Sequence, residues 1–381
     1  MPEDTPAPAD PGASTAASLL HVDLDAVADN YRLLQSKLGA TRCGAAMKAD
    51  AYGLGAARVA PVLAAEGCRA FFVATLGEGI ELRKLLPADD IEIIMLGGIL
   101  AGTEDTFVEH RLTPVANDPG QIELWRAQCR RLGRPLDAML HVDTGMNRLG
   151  LSPSDLDRVS ATPEVFEGAN WTHVISHLAC ADEPEHPANE AQLARFEHAK
   201  ARLPAMKGSF ANSGAVFLGS RYYFDLARPG IAIYGGNPTG KPPNPMRQTI
   251  RVLGRILQVR DVTPGMTVGY GGTHEVTKVG RVATVAAGYA DGYLRSGSSS
   301  AHVYLGQTRL PVIGRVSMDV ITVDVTSVPP EDTRPGKFME LLGDRVTPDE
   351  AGAAAGTISY EFLTSLGRRY HRIYAPSSRT A

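Results

Sequence analysis

Between residues 44 and 235, short apolar segments alternate with stretches of helical spacing. The candidate strands number eight: "GAAMKAD", "RAFFVAT", "IEIIMLG", "LTPVAN", "LDAMLHVD", "HVISHLA", "GSFANS" and "LARPGIAIYG". Between them lie helical patterns such as "GEGIELRKLL", "PGQIELWRAQCRRLG" and "NEAQLARFEHAKARL". Strands separated by helical crossovers run parallel in one sheet. Eight such units suit a parallel (β/α)8 TIM barrel, an α/β fold whose usual size is about 250 residues. A doubly wound open sheet meets the same count. Ahead of the first unit, "LLHVDL" reads as a strand. Asp25 reads as the cap of helical "AVADNYRLLQSKLG", which stops at Gly39.

The pattern changes near Gly236. "GGNPTGKPPNPMRQ" is a Pro/Gly linker. After it, "TIRVLGRILQVRDV", "RVATVAAGYADGY", "SAHVYLGQTRLPVIGRVSMDVITVDV" and "GKFMELLG" alternate as strands do. "TPDEAGAAAGTISYEFLTSLGRRY" is the one helical return. The expected organisation is a disordered tail over 1–17, a barrel over 18–245 and a mostly β domain over 246–381. The tail "MPEDTPAPADPGASTA" has neither the basic start nor the apolar core of a signal peptide. No apolar run is long enough to span a bilayer. A net charge of −4 argues against nucleic-acid and anionic-membrane surfaces. The four cysteines form no CxxC pair and read as reduced thiols of a cytoplasmic protein.

In a barrel, side chains at the C-terminal strand ends converge on one face, which hosts the chemistry. Those ends carry Lys48, Asp143 with Arg148, His177, Asn212 with Ser213, and Arg228. A lysine at a strand end commonly snorkels to solvent. In an apolar pocket its pKa falls and the amine becomes a nucleophile. The flanking "AAM" offers Lys48 little polar relief, and "GLG" lets backbone approach closely. That "GLG" is no dinucleotide fingerprint, because Arg58 stands where the third glycine belongs. Arg148 can pair with a neighbour or hold a substrate carboxylate as a fork. The N–H groups of Gly230 and Ile231, beside Ser213, can cradle a phosphate, which in barrels often sits in the last two loops. His173 and His177 stand four apart on a strand without the glutamate of HExxH, so no metal site is expected. Tyr289, Met318, Asp319 and Tyr360 are unremarkable in isolation.

Together these segments resemble the alanine racemase family, pyridoxal 5′-phosphate enzymes of fold type III. "KADAYGLG", "DTGMNRLG", "SHLACADE", "ANS", "RPGIAIYG", "VGYGGT", "GYADGY", "GRVSMD" and "TISYE" occur in the family's order, from about residue 20 to 374. The resemblance implies racemization of L- and D-alanine by two bases, supplying D-alanine for peptidoglycan. Lys48 would carry the cofactor covalently and act as one base, and Tyr289 as the opposite one. Arg228 would meet the pyridine nitrogen, with His177 behind it and Asn212 nearby. Tyr52, Ser213, Gly230, Ile231 and Tyr360 would bind the phosphate. Arg148 and the Met318 backbone would receive the substrate carboxylate, with Asp319 and Tyr270 at the site wall or entrance. The Arg148 and Arg228 cations are expected to lower the pKa of Lys48 or Tyr289. Family members are homodimers with shared sites, so Tyr289 would serve the partner's Lys48.

Three positions depart from the family pattern. His141 replaces a lysine, often carbamylated, that braces the equivalent of Arg148. A bound anion or His141 itself would have to take over. Leu54 replaces a frequent histidine and Ser317 a frequent cysteine. Two other readings are a broad-specificity amino-acid racemase and a non-catalytic cofactor-binding protein. The β domain and Tyr289 segment argue against the latter, whose type ends after the barrel. Tyr360 and Met318 argue for a cramped pocket suited to a methyl group.

Overall fold

The computed structural model describes residues 11–375. Val27–Arg247 form one unit, and the chain before Val27 joins the chain from Gln248 onward in a second.

In the first unit, strands Ala45–Ala46, Ala70–Val73, Glu92–Met95, Leu112–Ala116, Asp137–His141, Asn170–Ile175 and Lys207–Ser209 pair in parallel, in chain order. The strand Leu226–Ala227 pairs in parallel with Arg42–Cys43. It also bonds the preceding strand, through Asp225 N–H to Gly208 O at 2.9 Å and Arg228 N–H to Ala211 O at 2.8 Å. Gly44 N–H donates to Ala227 O at 2.9 Å on the other side. The last strand thus bonds both its predecessor and the first, so the sheet closes as a barrel and the open-sheet alternative falls. Ala70, Phe72, Ile94, Val115, Met139, Ile175 and Leu226 fill the interior. Strands lined inside by this cluster and outside by helices are apolar on both faces, which is why they read as unbroken apolar runs. Helix starts follow local chemistry. Thr75 and Glu78 form a capping box for Leu76–Leu85, and Asp118 caps Pro119–Leu132.

The long strand Ile250–Val262 organises the second unit. It pairs antiparallel with Gly280–Ala286 and Phe338–Leu342. It also pairs with Ser18–Asp23, whose other edge takes His371–Ala375 in parallel. The strand Ser18–Asp23 therefore lies outside the barrel range in which it was expected. Period-2 alternation shows a strand but not which sheet will take its edges. The expected disordered tail over 1–17 does not hold for its described part, 11–17. Residues 1–10 lie outside the described residues, but Pro11–Thr15 form a helix. Its Ala13 is buried with Leu19 and Leu253, and Arg255 Nε donates to Ala16 O at 2.9 Å. The helix Leu24–Leu38 is capped not by Asp25 but by Asp23, whose Oδ1 accepts from Ala26 N–H at 2.8 Å. The single helical return is two helices, Pro348–Ala354 and Ser359–Ser365, separated by Gly356 at φ +70°.

Candidate active site

Lys48 follows the first barrel strand and opens an unusual turn. Ala49, Asp50, Ala51 and Tyr52 all have φ between +53° and +56°, one turn of left-handed helix. Each non-glycine residue there costs roughly 1–2 kcal/mol, so outside contacts must hold it. Glu78 Oε1 accepts from Ala49 N–H at 2.6 Å, and its Oε2 accepts from Ala74 and Thr75 N–H. Asp50 Oδ1 accepts from Ala56 N–H at 2.7 Å. The turn leaves Lys48 half-buried and delivers Tyr52 into the barrel mouth. Burial lowers the Lys48 pKa from its ordinary value, the Arg148 cation lowers it further, and Glu78 partly opposes them. The expected cation effect thus falls on Lys48, second to desolvation.

Tyr52 stacks on Tyr234, with centroids 4.6 Å apart. Tyr234 Oη donates to Ala46 O at 2.7 Å, tying the pair to the Lys48 strand. The Tyr52 hydroxyl lies over Gly230, where a Cβ would come within 2.3 Å of it. Ser213 Oγ accepts from Gly230 N–H at 2.8 Å and Ala232 N–H at 3.3 Å. The N–H of Ile231, a residue 1% exposed, has no partner among the described residues. A buried hydroxyl, a phenol and an unpaired N–H around a glycine fit a phosphate cradle.

Arg228 is buried. Its Nη1 donates to Ser209 O at 2.7 Å and Ser209 Oγ at 2.6 Å, and its Nη2 to Ser176 O. Its guanidinium carbon lies 5.9 Å from the Phe72 ring centroid. Burial pulls its pKa down to about 10, so it stays charged at neutral pH. His177 makes no hydrogen bond to Arg228. Its Nε2 faces Asn212 Nδ2 at 3.5 Å, and Asn212 is oriented by bonds to Leu178 O and Ala215 N–H. Desolvation, with Arg228, Arg148 and Lys48 nearby, holds the His177 pKa well below its ordinary value.

Arg148 is exposed on a loop tied by Asp143, whose Oδ1 accepts from the N–H groups of Gly145, Met146 and Asn147. Beside the loop base, His141 Nδ1 and Asn117 Oδ1 are 2.7 Å apart. Asn117 Nδ2 donates to Leu96 O and Val115 O, which fixes the amide orientation. His141 Nδ1 must therefore carry the proton, leaving Nε2 an acceptor. Burial and the Arg228 cation push its pKa down to about 4.

The other expected site residues sit on the second unit. Tyr289 begins a short turn after Gly280–Ala286. Tyr289 N–H donates to Ser317 O and Ala290 N–H to Met318 O, both at 3.0 Å. A Cβ at Gly288 would stand 2.3 Å from Met318 O, so only glycine lets the two turns approach. Ser317 acts here through its backbone. Tyr289 is 42% exposed, Met318 52%, Tyr360 40% and Tyr270 69%. Asp319 is exposed as well, and its Oδ1 accepts from Arg369 Nη1 at 2.8 Å. The structure gathers Tyr289, Met318 and Asp319, while Tyr270 lies in its own turn against Arg315.

Both units match family models, alanine racemase N-terminal domain over residues 22–238 and alanine racemase C-terminal domain over 249–374. The chain belongs to the alanine racemase family. It is 49% identical to the Rhodospirillum rubrum alanine racemase over 361 residues, 94% of this chain and 96% of that one. It is 45% identical to a catabolic alanine racemase of Mesorhizobium japonicum, covering 95% and 94%. A Bartonella henselae alanine racemase crystallised with covalently bound pyridoxal phosphate superposes with a TM-score of 0.91 at 39% identity, over 94% of this chain and 100% of that one. The biosynthetic enzyme of Pseudomonas aeruginosa gives 0.88 at 34%, over 95% and 100%.

Sequence reasoning missed several residues that shape the site. Glu78 was readable as the T-x-x-E capping box after a strand. Asn117, at a strand end, was readable by the rule that found Lys48. Ser209 and Arg369 gave no local signal.

Proposed function

We propose that this chain interconverts L- and D-alanine with pyridoxal 5′-phosphate, using Lys48 and Tyr289 as its two bases. The observation that carries this reading is Lys48 itself. Its half-buried amine is disfavoured as a cation by desolvation and by the nearby Arg148 charge, on a turn that also places Tyr52 over the Gly230 cradle.

The donors present fit the cofactor. Ser213 Oγ, Tyr52 Oη and the N–H groups of Gly230 and Ile231 would hold its phosphate, joined by Tyr360. Lys48 would hold it covalently and Arg228 would meet its ring nitrogen. When bound, the cofactor supplies an electron sink for the charge left when the α-proton departs. Arg228 keeps its protons, so the ring nitrogen remains an acceptor. Lys48 takes or returns the α-proton on one face and Tyr289 on the other. Arg148 receives the substrate carboxylate as a fork. His141, neutral and with Nε2 free to accept, steadies that arginine in place of the family's usual lysine.

Two copies of the chain complete each site, one copy's Tyr289 serving the other's Lys48. The exposure of Tyr289 beside Met318, with Tyr360, Tyr270 and Ile358 also exposed on the same unit, supports this, because large apolar side chains left at a surface are what an interface covers. The enzyme works in the cytoplasm and supplies D-alanine for peptidoglycan. No helix among the described residues is long and apolar enough to cross a membrane.

The test is to incubate the purified, cofactor-loaded protein with L-alanine and assay D-alanine, with Lys48→Ala and Tyr289→Phe alongside. Turnover by the wild type that both variants lose is expected. Absence of D-alanine from loaded wild type would sink the reading, and equal turnover of bulky amino acids would favour the broad-specificity alternative. Rescue of a D-alanine-requiring bacterial strain tests the biosynthetic role.

A further inference from the structure

The turn that carries Tyr289 is short and weakly self-supporting. Within it Asp291 N–H donates to Gly288 O and Gly292 N–H to Tyr289 O, both carbonyls of the same small loop. The Tyr289 side chain is 42% exposed, so packing does little to aim its phenol. The direction of the side chain must come from the backbone beneath it.

That backbone is clamped from outside. The Asp291 side chain is 4% exposed, and its Oδ2 accepts from Gly288 N–H at 2.8 Å. Its Oδ1 pairs with Arg369 Nε at 3.1 Å. The same guanidinium reaches Asp319 Oδ1 through Nη1 at 2.8 Å. Asp319 follows Met318, whose carbonyl takes Ala290 N–H. One planar fork therefore fastens the Tyr289 turn and the Met318 turn together. Asp291 O also accepts from Gly367 N–H at 2.9 Å, which secures the segment that carries Arg369. A lysine offers a single point charge and cannot span two carboxylates with this geometry. Without the guanidinium, Asp291 would remain a buried charge with one backbone partner, and it would relax toward solvent.

We propose that Arg369, through Asp291 and Asp319, is the positioning residue that fixes where the Tyr289 phenol points and so governs the proton transfer made on Tyr289's face. This rests on the two-base reading above. Arg369 and Asp291 touch neither substrate nor cofactor; they act through the turn.

The experiment uses the cofactor-loaded holoenzyme and its Arg369→Gln and Arg369→Lys variants. Steady-state kinetics are run in both directions with protiated and α-deuterated L- and D-alanine. Thermal midpoints are recorded in parallel. A misaimed phenol lowers kcat on the order of 10-fold and leaves KM near its wild-type value, because Arg148 still holds the carboxylate. It also makes the Tyr289 transfer more rate-limiting than the Lys48 transfer. The deuterium effect from one enantiomer then rises while that from the other falls. Arg369→Lys gives the same sign at smaller amplitude and decides the matter if Arg369→Gln does not fold. Equal changes in both isotope effects, or a fall in rate with both unchanged, would overturn the proposal. Wild-type kinetics in either variant would do the same. Failure of the wild type to racemise alanine is a separate outcome, which removes the functional reading itself.

Discussion

Lys48 is a cation that its surroundings disfavour. Desolvation is the larger cause and the Arg148 guanidinium the second. Removing that guanidinium should make protonation of Lys48 easier. In Arg148→Met apoprotein, the pH midpoint for covalent capture of pyridoxal phosphate at Lys48 is expected to rise. Capture followed by absorbance across pH checks this, and an unchanged or lower midpoint would refute it. The buried histidines make a second statement. His141 and His173 are both held down at about 4, against an ordinary value of 6.5, mainly by desolvation. Between those values the unfolded chain binds protons that the folded one refuses. Stability is therefore fully present above about 6.5 and is lost as pH falls toward 4, at up to roughly 1.4 kcal/mol per pH unit for each histidine. Denaturant melts from pH 7 to 4 should show this slope, and His141→Asn should make it shallower. Gly230→Ala belongs here too. The added methyl, 2.3 Å from Tyr52 Oη, pushes the phenol off the cradle. Affinity for pyridoxal phosphate should drop at least tenfold by equilibrium titration, with the thermal midpoint little changed.

At the scale of the element, the decisive piece is the left-handed turn from Ala49 to Tyr52. It is strained, and it sets both the lysine proposed to react and the tyrosine over Gly230. Its strain is held by neighbouring groups, chiefly the Glu78 carboxylate that takes three N–H donors from Ala49, Ala74 and Thr75. Glu78→Ala unties all of them and is expected to destabilise the barrel unit by about 1–3 kcal/mol. It should also weaken cofactor binding more than Glu78→Gln, whose amide oxygen still accepts. Chemical denaturation and cofactor titration of the two variants distinguish this from a Glu78 that serves only as a helix cap. In the second unit, the short Tyr289 turn shows the same logic. Its own Asp291 carboxylate takes Gly288 N–H and is in turn held by the Arg369 guanidinium from far along the chain.

At the scale of the whole molecule, the two sets of site residues lie on different units, and the proposed dimer is what brings them to one substrate. Mixing tests this directly. Lys48→Ala and Tyr289→Phe homodimers should each be inactive. After exchange of subunits, mixed dimers carry one site with both wild-type bases, and part of the activity should return. No recovery after exchange verified by mass would refute shared sites. A chain that remains monomeric in solution while turning over alanine would refute them as well.

The sequence alone was enough for the alternation of strands and helices, the change of pattern near Gly236 and the strand-end residues Lys48 and Arg228. Each is written in local periodicity or local composition, which a chain carries regardless of its partners. Barrel closure and the sheet joined by Ser18–Asp23 were decided only by tertiary structure. So were the capping role of Asp23, the left-handed turn and the hold of Arg369 on the Tyr289 turn. Edge pairing and ion pairing join residues far apart in the chain; Arg369 lies 78 positions beyond Asp291. No window of neighbouring residues can record which distant carboxylate a guanidinium will meet, because folding alone brings them within reach.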